Sequence, residues 1–404
     1  MWSAECAIVL GQARWRLPEW GLRISHFPFP ILHCPQQVMV RILGIETSCD
    51  ETAIGIVEDG SSILANVVAS SQQFHEAYGG VIPDIAARIH VEVIWQVLEH
   101  ALTQAASRLE EIDAVAITQG PGLPGALLIG LAFAKGLALA IDRPLIAANH
   151  LAAHLYAGEM VAADLEPPYV GLVVSGGHTL LCVAHQDQRF EMLGQTKDDA
   201  VGEAFDKVAK LLGLGYPGGP VIDRLSQQGN RAAAAFPRLT AKEGFDFSFS
   251  GLKTAVYQYV QKQLGGAGGG GRGTRVGSSA QSSSLASRIP ELSPTVGFDD
   301  RQIADIAASF QEAAVDILVT KTLRACHRTG LKHVVVGGGV AANSRLRERL
   351  CEEGESRKLR VVVPPLQLCA DNGAMVAGLA YELLRRGQTS PLTLNADSHL
   401  ALAG

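Results

Sequence analysis

The sequence has no excess of positive charge and no hydrophobic run of membrane-spanning length. Its 40 acidic residues outnumber its 34 basic ones, which gives a formal net charge of −6. Overall attraction to nucleic acid or to an anionic membrane is therefore excluded, and an RNA partner would need a local basic patch or a partner protein. The longest apolar run, residues 126–141, contains Lys135 and is shorter than the roughly 20 residues that span a bilayer. We interpret it as a buried helix.

Paired cysteines and a targeting segment are also missing. The seven cysteines are scattered and odd in number, without CxxC spacing, which argues against a secreted disulfide framework and favours a reducing compartment. Residues 1–38 lack the charged start, apolar stretch and small-residue cleavage site of a signal peptide. We therefore expect a cytoplasmic protein in which residues 1–38 are an N-terminal extension, either disordered or upstream of the true start.

The apolar content of the chain is sufficient for two packed lobes. At 404 residues, 47% of them hydrophobic, the chain exceeds the size at which a single core usually keeps growing. Two apolar–polar–apolar units, residues 41–57 and 170–184, predict β-hairpins with polar tips, one in each lobe. The predicted organisation is an N-terminal α/β lobe at 39–150, a C-terminal α/β lobe at 151–384 with a flexible Gly/Ser-rich insertion at 265–297, and a C-terminal tail at 385–404.

Helices and strands alternate between and after these hairpins. Helical periodicity over residues 85–108 and 125–140 flanks a predicted strand at 114–118. Later in the chain, residues 334–336 form a predicted strand that runs into three glycines and then a helix near Ser344. Such alternation is typical of sheets covered by helices.

Two histidines four residues apart are the first candidates for chemistry. On a helix, His150 and His154 project from one face, as two ligands of one divalent metal must. Two helical histidines satisfied by ordinary hydrogen bonds would give the same spacing. A metalloprotease is disfavoured, because Leu151 stands where HExxH enzymes carry their glutamate base.

Asp371 is the candidate for a third metal ligand, because it offers a carboxylate in a turn before a predicted helix at 374–384. The alternative role is capping of that helix, which Asp and Asn commonly do, and spacing alone leaves the two open. Cys369 follows an apolar run and is interpreted as a packed thiol.

Glycine turns are candidates for anion binding. Residues 175–177, after a buried strand, and glycines 337–339, before a helix, would let backbone N–H groups converge on a phosphate. A tight hairpin would explain the first turn as well. Asp206 in a charged helix, and Asp223 one turn after Gly219, could contact a ribose or a base, or could belong to solvated faces.

Eight motifs, in order along residues 39–384, together resemble the bacterial TsaD family of tRNA N6-adenosine threonylcarbamoyltransferases, formerly called O-sialoglycoprotein endopeptidases. They are IETSCDET (45–52), NHLAAH (149–154), SGGHT (175–179), GEAFDK (202–207), YPGGP (216–220), FSFSGLKT (247–254), GGGVAAN (337–343) and CADNGAM (369–375). The resemblance breaks at residues 1–38 and at the Gly/Ser-rich insertion.

This resemblance implies a two-lobed actin-like ATPase fold of the sugar-kinase and Hsp70 type, with a duplicated α/β core around a central cleft. It implies transfer of a threonylcarbamoyl group from threonylcarbamoyl-AMP to the N6 amine of the adenosine 3′ of the anticodon, in tRNAs reading codons that begin with A. It also implies TsaB-type and TsaE-type partner proteins, and a separate synthase that makes the adenylate.

The resemblance also assigns candidate site residues. The family's metal, Fe2+ or less often Zn2+, maps onto His150, His154 and Asp371. Its adenylate contacts map onto Val173, Val174, Ser175, Gly176, Gly177, Asp206, Gly219, Asp223 and Asn343. Asp50 and Glu51, at the tip of the first hairpin, are candidates for handling a proton or steering the metal, or for turn chemistry alone.

Two other functions stay open from the sequence. One is a metal-dependent glycoprotease, as the older family name suggests. The other is a nucleotide-binding ATPase or a scaffold subunit, since the implied fold class includes kinases and chaperones.

Overall fold

The structure, a computed structural model, describes residues 39–162, 164–238, 244–266 and 297–402. The predicted extension at 1–38 and nearly all of the predicted Gly/Ser-rich insertion lie outside the described residues. Of the helices in the described ranges, none combines the length and the apolar character that crossing a bilayer requires. The described cysteines are free thiols: Cys49, Cys182, Cys326, Cys351 and Cys369.

The first sheet is built on the first predicted hairpin. Its strands are β1 (Arg41–Glu46), β2 (Glu51–Glu58), β3 (Ser62–Ser70), β4 (Ala114–Gly120) and β5 (Leu145–Asn149). β1, β2 and β3 form an antiparallel meander, and β4 and β5 continue the sheet from β1 in parallel, so the order is β3-β2-β1-β4-β5. All of β1 after its first residue is buried, which is why it is a nearly continuous apolar run.

The second sheet repeats this topology. Its strands are β6 (Tyr169–Val174), β7 (Thr179–Ala184), β8 (Phe190–Gln195), β9 (His333–Gly337) and β10 (Arg360–Val362). Their order is β8-β7-β6-β9-β10, again a meander of three antiparallel strands followed by two parallel ones. The two predicted hairpins are therefore equivalent parts of a duplicated α/β core, and the predicted fold class is confirmed.

Helices cover and connect the two sheets. In the described ranges they are α1 (Gln72–His75), α2 (Pro83–Gln104), α3 (Pro124–Ala140), α4 (His150–Val161), α5 (Val201–Leu211), α6 (Gly218–Ser226), α7 (Ser250–Gly266), α8 (Asp300–Thr329), α9 (Ser344–Arg357) and α10 (Gly373–Arg385).

The helices α4 and α10 join the two halves of the molecule. α10 packs against β1 and β2 of the first sheet, and α4 packs against α10 and against β9 of the second sheet. The lobe boundary between residues 150 and 151 stays a prediction, because α10 follows it in sequence and yet covers the first sheet. Beyond α10 the chain returns along β5, where the Ser390 N–H donates to the carbonyl of Leu145 (2.8 Å).

α10 approaches the first sheet so closely that both sides of the contact need glycine. A Cβ on Gly373, in the first turn of α10, would overlap the backbone nitrogen of Gly55 in β2. A Cβ on Gly44 in β1 would overlap the backbone of Ala377. Because main chain cannot move aside as the end of a flexible side chain can, this contact fixes the position of the N-terminus of α10.

We predict that Gly373→Ala destabilises the protein by about 1–3 kcal/mol, since the added methyl forces α10 away from β2. The measurement is the midpoint of thermal unfolding. Gly136→Ala is the matched control: Gly136 is exposed in α3 and its Cβ would meet open space, so alanine should stabilise the helix by about 0.5–1 kcal/mol. Equal effects of the two substitutions would contradict the prediction.

Candidate metal centre and adjoining cleft

The start of α4 places two histidines on one face of a helix. The side-chain oxygen of Asn149 accepts the N–H groups of Leu151 (2.9 Å) and Ala152 (3.2 Å), which caps the helix immediately before His150. His150 and His154 therefore lie one turn apart, with ring centroids 4.6 Å from each other. Both side chains are buried.

Asp371 joins the histidines because another residue caps α10. The side-chain oxygen of Asn372 accepts the N–H of Met375 (3.0 Å) and provides the cap. The carboxylate of Asp371 is thus available, and its Oδ1 lies 3.1 Å from Nε2 of His154 and 3.7 Å from Nε2 of His150. The sequence left two roles open for Asp371, metal binding and helix capping. In the structure the capping residue is Asn372, its neighbour.

The three side chains fit a divalent metal. Their ligand atoms lie within 4.8 Å of one another, and within the described ranges no other group of His, Cys, Asp and Glu has this arrangement. His154 is fully buried; its Nε2 has only the Asp371 carboxylate, at 3.1 Å and without good hydrogen-bond geometry, and its Nδ1 has no partner, which is costly unless another group is bound. Two imidazoles and one carboxylate are a common set of ligands for iron and zinc.

Cys369 is a packed thiol, as interpreted from the sequence. It is fully buried, and its Sγ lies 3.0 Å from the guanidinium of Arg347 and 3.4 Å from the carbonyl of Pro364. Burial raises the pKa of this thiol, so the uncharged form is favoured.

Glu46 contacts Nδ1 of His150, the ring nitrogen that is not directed at Asp371. Its Oε2 lies 3.0 Å from Nδ1 of His150 and accepts the hydroxyl of Thr118 (2.6 Å), and its Oε1 accepts the N–H of Ser48 (2.5 Å). A carboxylate on the far nitrogen of a ligating histidine fixes the tautomer and leaves Nε2 directed at the metal. Glu46 was not among the residues predicted for the site; an acidic residue closing a buried strand is the one signal that could have singled it out.

The charges of the centre stabilise one another. Burial alone would lower the pKa of His150, but the carboxylates of Glu46 and Asp371 raise it to about 9. Burial alone would raise the pKa of Asp371, but the positive charges of His150 and His154 lower it to about 2. Without a metal, the buried centre is therefore an imidazolium between two carboxylates.

His178 is a further histidine beside this centre that the site prediction omitted, although it belongs to the SGGHT motif. Its ring centroid lies 6.5 Å from that of His150. Burial, followed by the positive charges of His150 and His154, lowers the pKa of His178 to about 4, so its ring is neutral at physiological pH. A neutral imidazole there can donate one hydrogen bond and accept another.

The tip of the first hairpin brings Asp50 and Glu51 towards the centre. Burial raises the pKa of Glu51 well above its usual value, and the negative charges of Asp50 and Asp371 raise it further. The surroundings of Glu51 therefore favour its protonated form. Burial raises the pKa of Tyr216 in the second half of the molecule, and the charges of Asp50 and Asp206 raise it further, so the hairpin tip lies near α5 and α6.

The predicted glycine turns lie at the carboxyl ends of β6 and β9. Val173 and Val174 are buried at the end of β6, and Ser175 closes the following loop by accepting the N–H of His178 on its Oγ (3.0 Å). A Cβ on Gly176 or Gly177 would meet nothing within 4 Å. Gly219 and Gly339 likewise have open space at the Cβ position. Carboxyl ends of sheet strands are where α/β proteins commonly bind ligands.

Asp206 points from α5 to the start of α6, where its Oδ1 accepts the N–H of Gly218 (2.7 Å). Burial raises the pKa of Asp206 to about 6, against this hydrogen bond and with a contribution from the charges of Glu203 and Asp50. The other charged residues of this motif form ion pairs with one another: Lys207 bonds Asp199 (2.6 Å) and Glu203 (2.8 Å). Asp206, by contrast, accepts main-chain N–H groups at the start of α6.

Asp223 and Asn343 meet at the start of α9. The carboxylate of Asp223 accepts the N–H (3.1 Å) and the hydroxyl (2.7 Å) of Ser344. Asn343 caps α9 through the N–H of Leu346 (2.9 Å) and donates to the side chain of Gln311 (2.8 Å). These bonds position both side chains next to the second glycine turn, residues 337–339.

The duplicated 3-2-1-4-5 sheets, with a cluster of side chains between them that could hold a metal, define a two-lobed protein with the actin-like ATPase fold. Full-length HypF in its phosphate- and nucleotide-bound form has this fold: the TM-score is 0.53 at 15% identity, covering 87% of this chain and 56% of HypF. At that identity the likeness concerns the fold alone.

The family follows from closer relatives. The family model for TsaD, tRNA N6-adenosine threonylcarbamoyltransferase, matches residues 62–378. A protein of that name from Kosmotoga olearia is 45% identical over 364 residues, covering 90% of this chain and 99% of the relative. One from Symbiobacterium thermophilum is 47% identical over 361 residues, covering 89% and 96%. The chain belongs to the TsaD family.

We predict that Glu46→Gln weakens metal binding by about 10- to 100-fold, because the neutral amide makes His150 a poorer ligand. The dissociation constant is measured by competition with a chelator of known affinity. Glu191→Gln, at a side chain that is 61% exposed, is the control and should bind metal as the wild type does. Wild-type affinity in Glu46→Gln would contradict the supporting role of Glu46.

We also predict that Asp206→Asn stabilises the protein at pH 7.5, by an amount on the order of 1–3 kcal/mol. An aspartate whose pKa is raised by folding destabilises the folded state as the pH rises from about 4 through about 6. The gain should therefore shrink as the pH is lowered from 7.5 to 4.5, which urea unfolding at each pH measures.

Asp198→Asn is the control of opposite sign. The hydroxyls and N–H groups of Ser248, Phe249 and Ser250 lower the pKa of Asp198, against the effect of burial, so its replacement should destabilise the protein at pH 7.5. Destabilisation by both substitutions would show that the charged form of Asp206 does not destabilise the folded protein.

Proposed function

We propose that this protein transfers the threonylcarbamoyl group from threonylcarbamoyl-AMP to the N6 amine of the adenosine 3′ of the anticodon, in tRNAs reading codons that begin with A. The observation that carries the proposal is the convergence of His150, His154 and Asp371 beside open glycine turns, in a chain of the TsaD family. The product is N6-threonylcarbamoyladenosine.

The adenylate is proposed to bind on the second sheet, at Val173, Val174, Ser175, Gly176, Gly177, Asp206, Gly219, Asp223 and Asn343. The open Cβ positions at Gly176, Gly177 and Gly219 support this, because main-chain N–H groups can approach a ligand there without interference from side chains. The carboxylate of Asp206, which is bonded to main-chain N–H groups at the start of α6, has further lone pairs that can accept hydrogen bonds from ribose hydroxyls.

One divalent metal per chain is proposed at His150, His154 and Asp371. A two-histidine, one-carboxylate set is typical of Fe2+ sites, so Fe2+ is our first assignment and Zn2+ the alternative. When bound, the metal supplies Lewis-acid stabilisation of negative charge on the carbamoyl oxygen.

The chain's own residues position the reactants and handle one proton. In the reaction the N6 nitrogen forms a bond to the carbamoyl carbon, the bond from that carbon to the phosphate oxygen breaks, and AMP leaves. The amine must lose a proton as its nitrogen becomes part of a urea linkage. Because burial and the neighbouring carboxylates favour the protonated form of Glu51, we propose Asp50 as the acceptor of the amine proton.

Partners and compartment belong to the same proposal. The net charge of −6 leaves the chain without a general affinity for tRNA, which supports a division of labour in which TsaB-type and TsaE-type proteins assist and complete the tRNA surface. We propose the cytoplasm as the compartment.

The site gives little support to the glycoprotease alternative. The glutamate nearest to the histidines, Glu46, is engaged by His150, Thr118 and the N–H of Ser48, so it is not free to activate a water molecule. The ATPase or scaffold alternative is separated by experiment.

The test is incubation of the anaerobically purified protein and its partner proteins with threonylcarbamoyl-AMP and unmodified tRNA, followed by mass spectrometry of the nucleosides. We expect N6-threonylcarbamoyladenosine in the wild type, and at least a hundredfold less with His150→Ala combined with His154→Ala, because the metal ligands are lost. Circular dichroism checks that this variant is folded, and Asp371→Asn provides an independent loss of a ligand.

The matched control replaces two exposed histidines, His100 and His327, and should retain full activity. Steady ATP hydrolysis without modified nucleoside in the wild type would overturn the transferase assignment. Full activity of the variant lacking both buried histidines would remove the metal from the mechanism.

A further inference from the structure

The 71–82 segment, between β3 and α2, lies beside the candidate centre and has no role in the function proposed above. It contains α1 and a short 3-10 turn at Glu76–Tyr78. One side of the segment faces the protein, and another carries aromatic side chains in solvent. Both sides matter for its function.

The buried side of the segment is clamped to the hairpin tip. Ser71 donates both its N–H (3.1 Å) and its hydroxyl (2.7 Å) to the carbonyl of Asp50. His75 is fully buried; its Nδ1 accepts the N–H of Ile82 (3.2 Å), so its Nε2 donates to the hydroxyl of Ser71 (3.0 Å). The segment is therefore held in a fixed position relative to the proposed proton acceptor.

The outer side of the segment exposes two aromatic rings. Phe74 is 44% exposed and Tyr78 is 59% exposed. They are four residues apart in consecutive helical turns, so they share one side of the segment. Two neighbouring exposed rings on a rigid element next to a candidate active site are a platform for another planar group.

The segment also reaches the half of the molecule that carries the adenylate residues. Lys210, at the end of α5, places its Nζ 3.6 Å from where a Cβ on Gly79 would lie. Lys210 is exposed and forms no ion pair within the described part of the chain. One turn earlier, the same helix carries Asp206. The segment thus lies between the hairpin tip of the first half and α5 of the second half, at the entrance to the proposed site.

We propose that Phe74 and Tyr78 stack against bases of the tRNA anticodon loop that flank the target adenosine, while Lys210 contacts a backbone phosphate. This inference rests on the proposed transferase function. A target adenosine that reaches the centre must bring its neighbours past the entrance, and proteins read single-stranded RNA by stacking its bases on aromatic side chains. Because the net charge of −6 gives the chain no overall attraction for phosphates, contacts to the bases contribute more to binding.

The test compares wild type with Phe74→Ala combined with Tyr78→Ala, using the full chain with its partner proteins. We expect KM for tRNA to rise at least about fivefold for each ring removed, with KM for threonylcarbamoyl-AMP unchanged. Phe74→Trp combined with Tyr78→Phe keeps both rings and should retain the wild-type KM. Leu139→Ala removes an exposed apolar side chain (70% exposed) elsewhere and should change neither constant.

Stacking itself is measured with an anticodon stem–loop that carries 2-aminopurine next to the target adenosine. The wild type should quench its fluorescence, and the double alanine variant should not. Lys210→Gln should leave the quenching in place and reduce the slope of log affinity against log salt by about one.

The outcomes separate this inference from the proposed function. If the wild type forms no modified nucleoside, the proposed function fails first. If the wild type is active and the double alanine variant keeps its KM for tRNA and its quenching, the platform is wrong. If that variant instead loses a partner protein from the complex, the rings are a protein contact and the inference is overturned.

Discussion

The candidate centre depends on how closely α10 packs against the first sheet. Gly55 and Gly373 allow two stretches of main chain to touch, which is the shortest approach that a helix and a strand can make. Asp371 immediately precedes this contact, so its carboxylate is held at the first sheet, opposite the histidines of α4. Residues that are more than 200 positions apart in sequence thereby form one site.

The buried charges at this site satisfy one another in a fixed order. Glu46, His150 and Asp371 alternate in sign, and Thr118 and the N–H of Ser48 complete the bonding of Glu46. A buried charge without partners would be strongly destabilising, so the network leaves few alternative positions for these side chains. His154 differs, because its Nδ1 has no partner and its Nε2 meets only the Asp371 carboxylate, without good hydrogen-bond geometry. The Glu46 network thus holds His150 in place, while His154 still lacks hydrogen-bond partners, and a ligand site needs both features.

Local patterns predicted more of this molecule than long-range contacts did. Hydrophobic alternation predicted both hairpins, and the HxxxH spacing predicted that His150 and His154 share a helix face. The same reasoning left Asp371 open, because Asp371 and Asn372 are both good helix caps and only the observed bond from Asn372 to Met375 separates them. Glu46 and Thr118 are 72 residues apart, and no periodicity reports such a pairing. His178 was likewise missed, since it lies in a loop and its neighbour in space, His150, lies on α4.

Beside the proposed adenylate, the open positions at Gly176, Gly177, Gly219 and Gly339 would restrict how the sequence can vary. Each glycine presents only a hydrogen atom to this open space. Any other residue would therefore add side-chain atoms there. Such positions tolerate change in one direction only, towards obstruction. A saturating mutational survey would therefore find no improved variant at these four sites, whereas surrounding polar residues could still be exchanged to suit a different occupant.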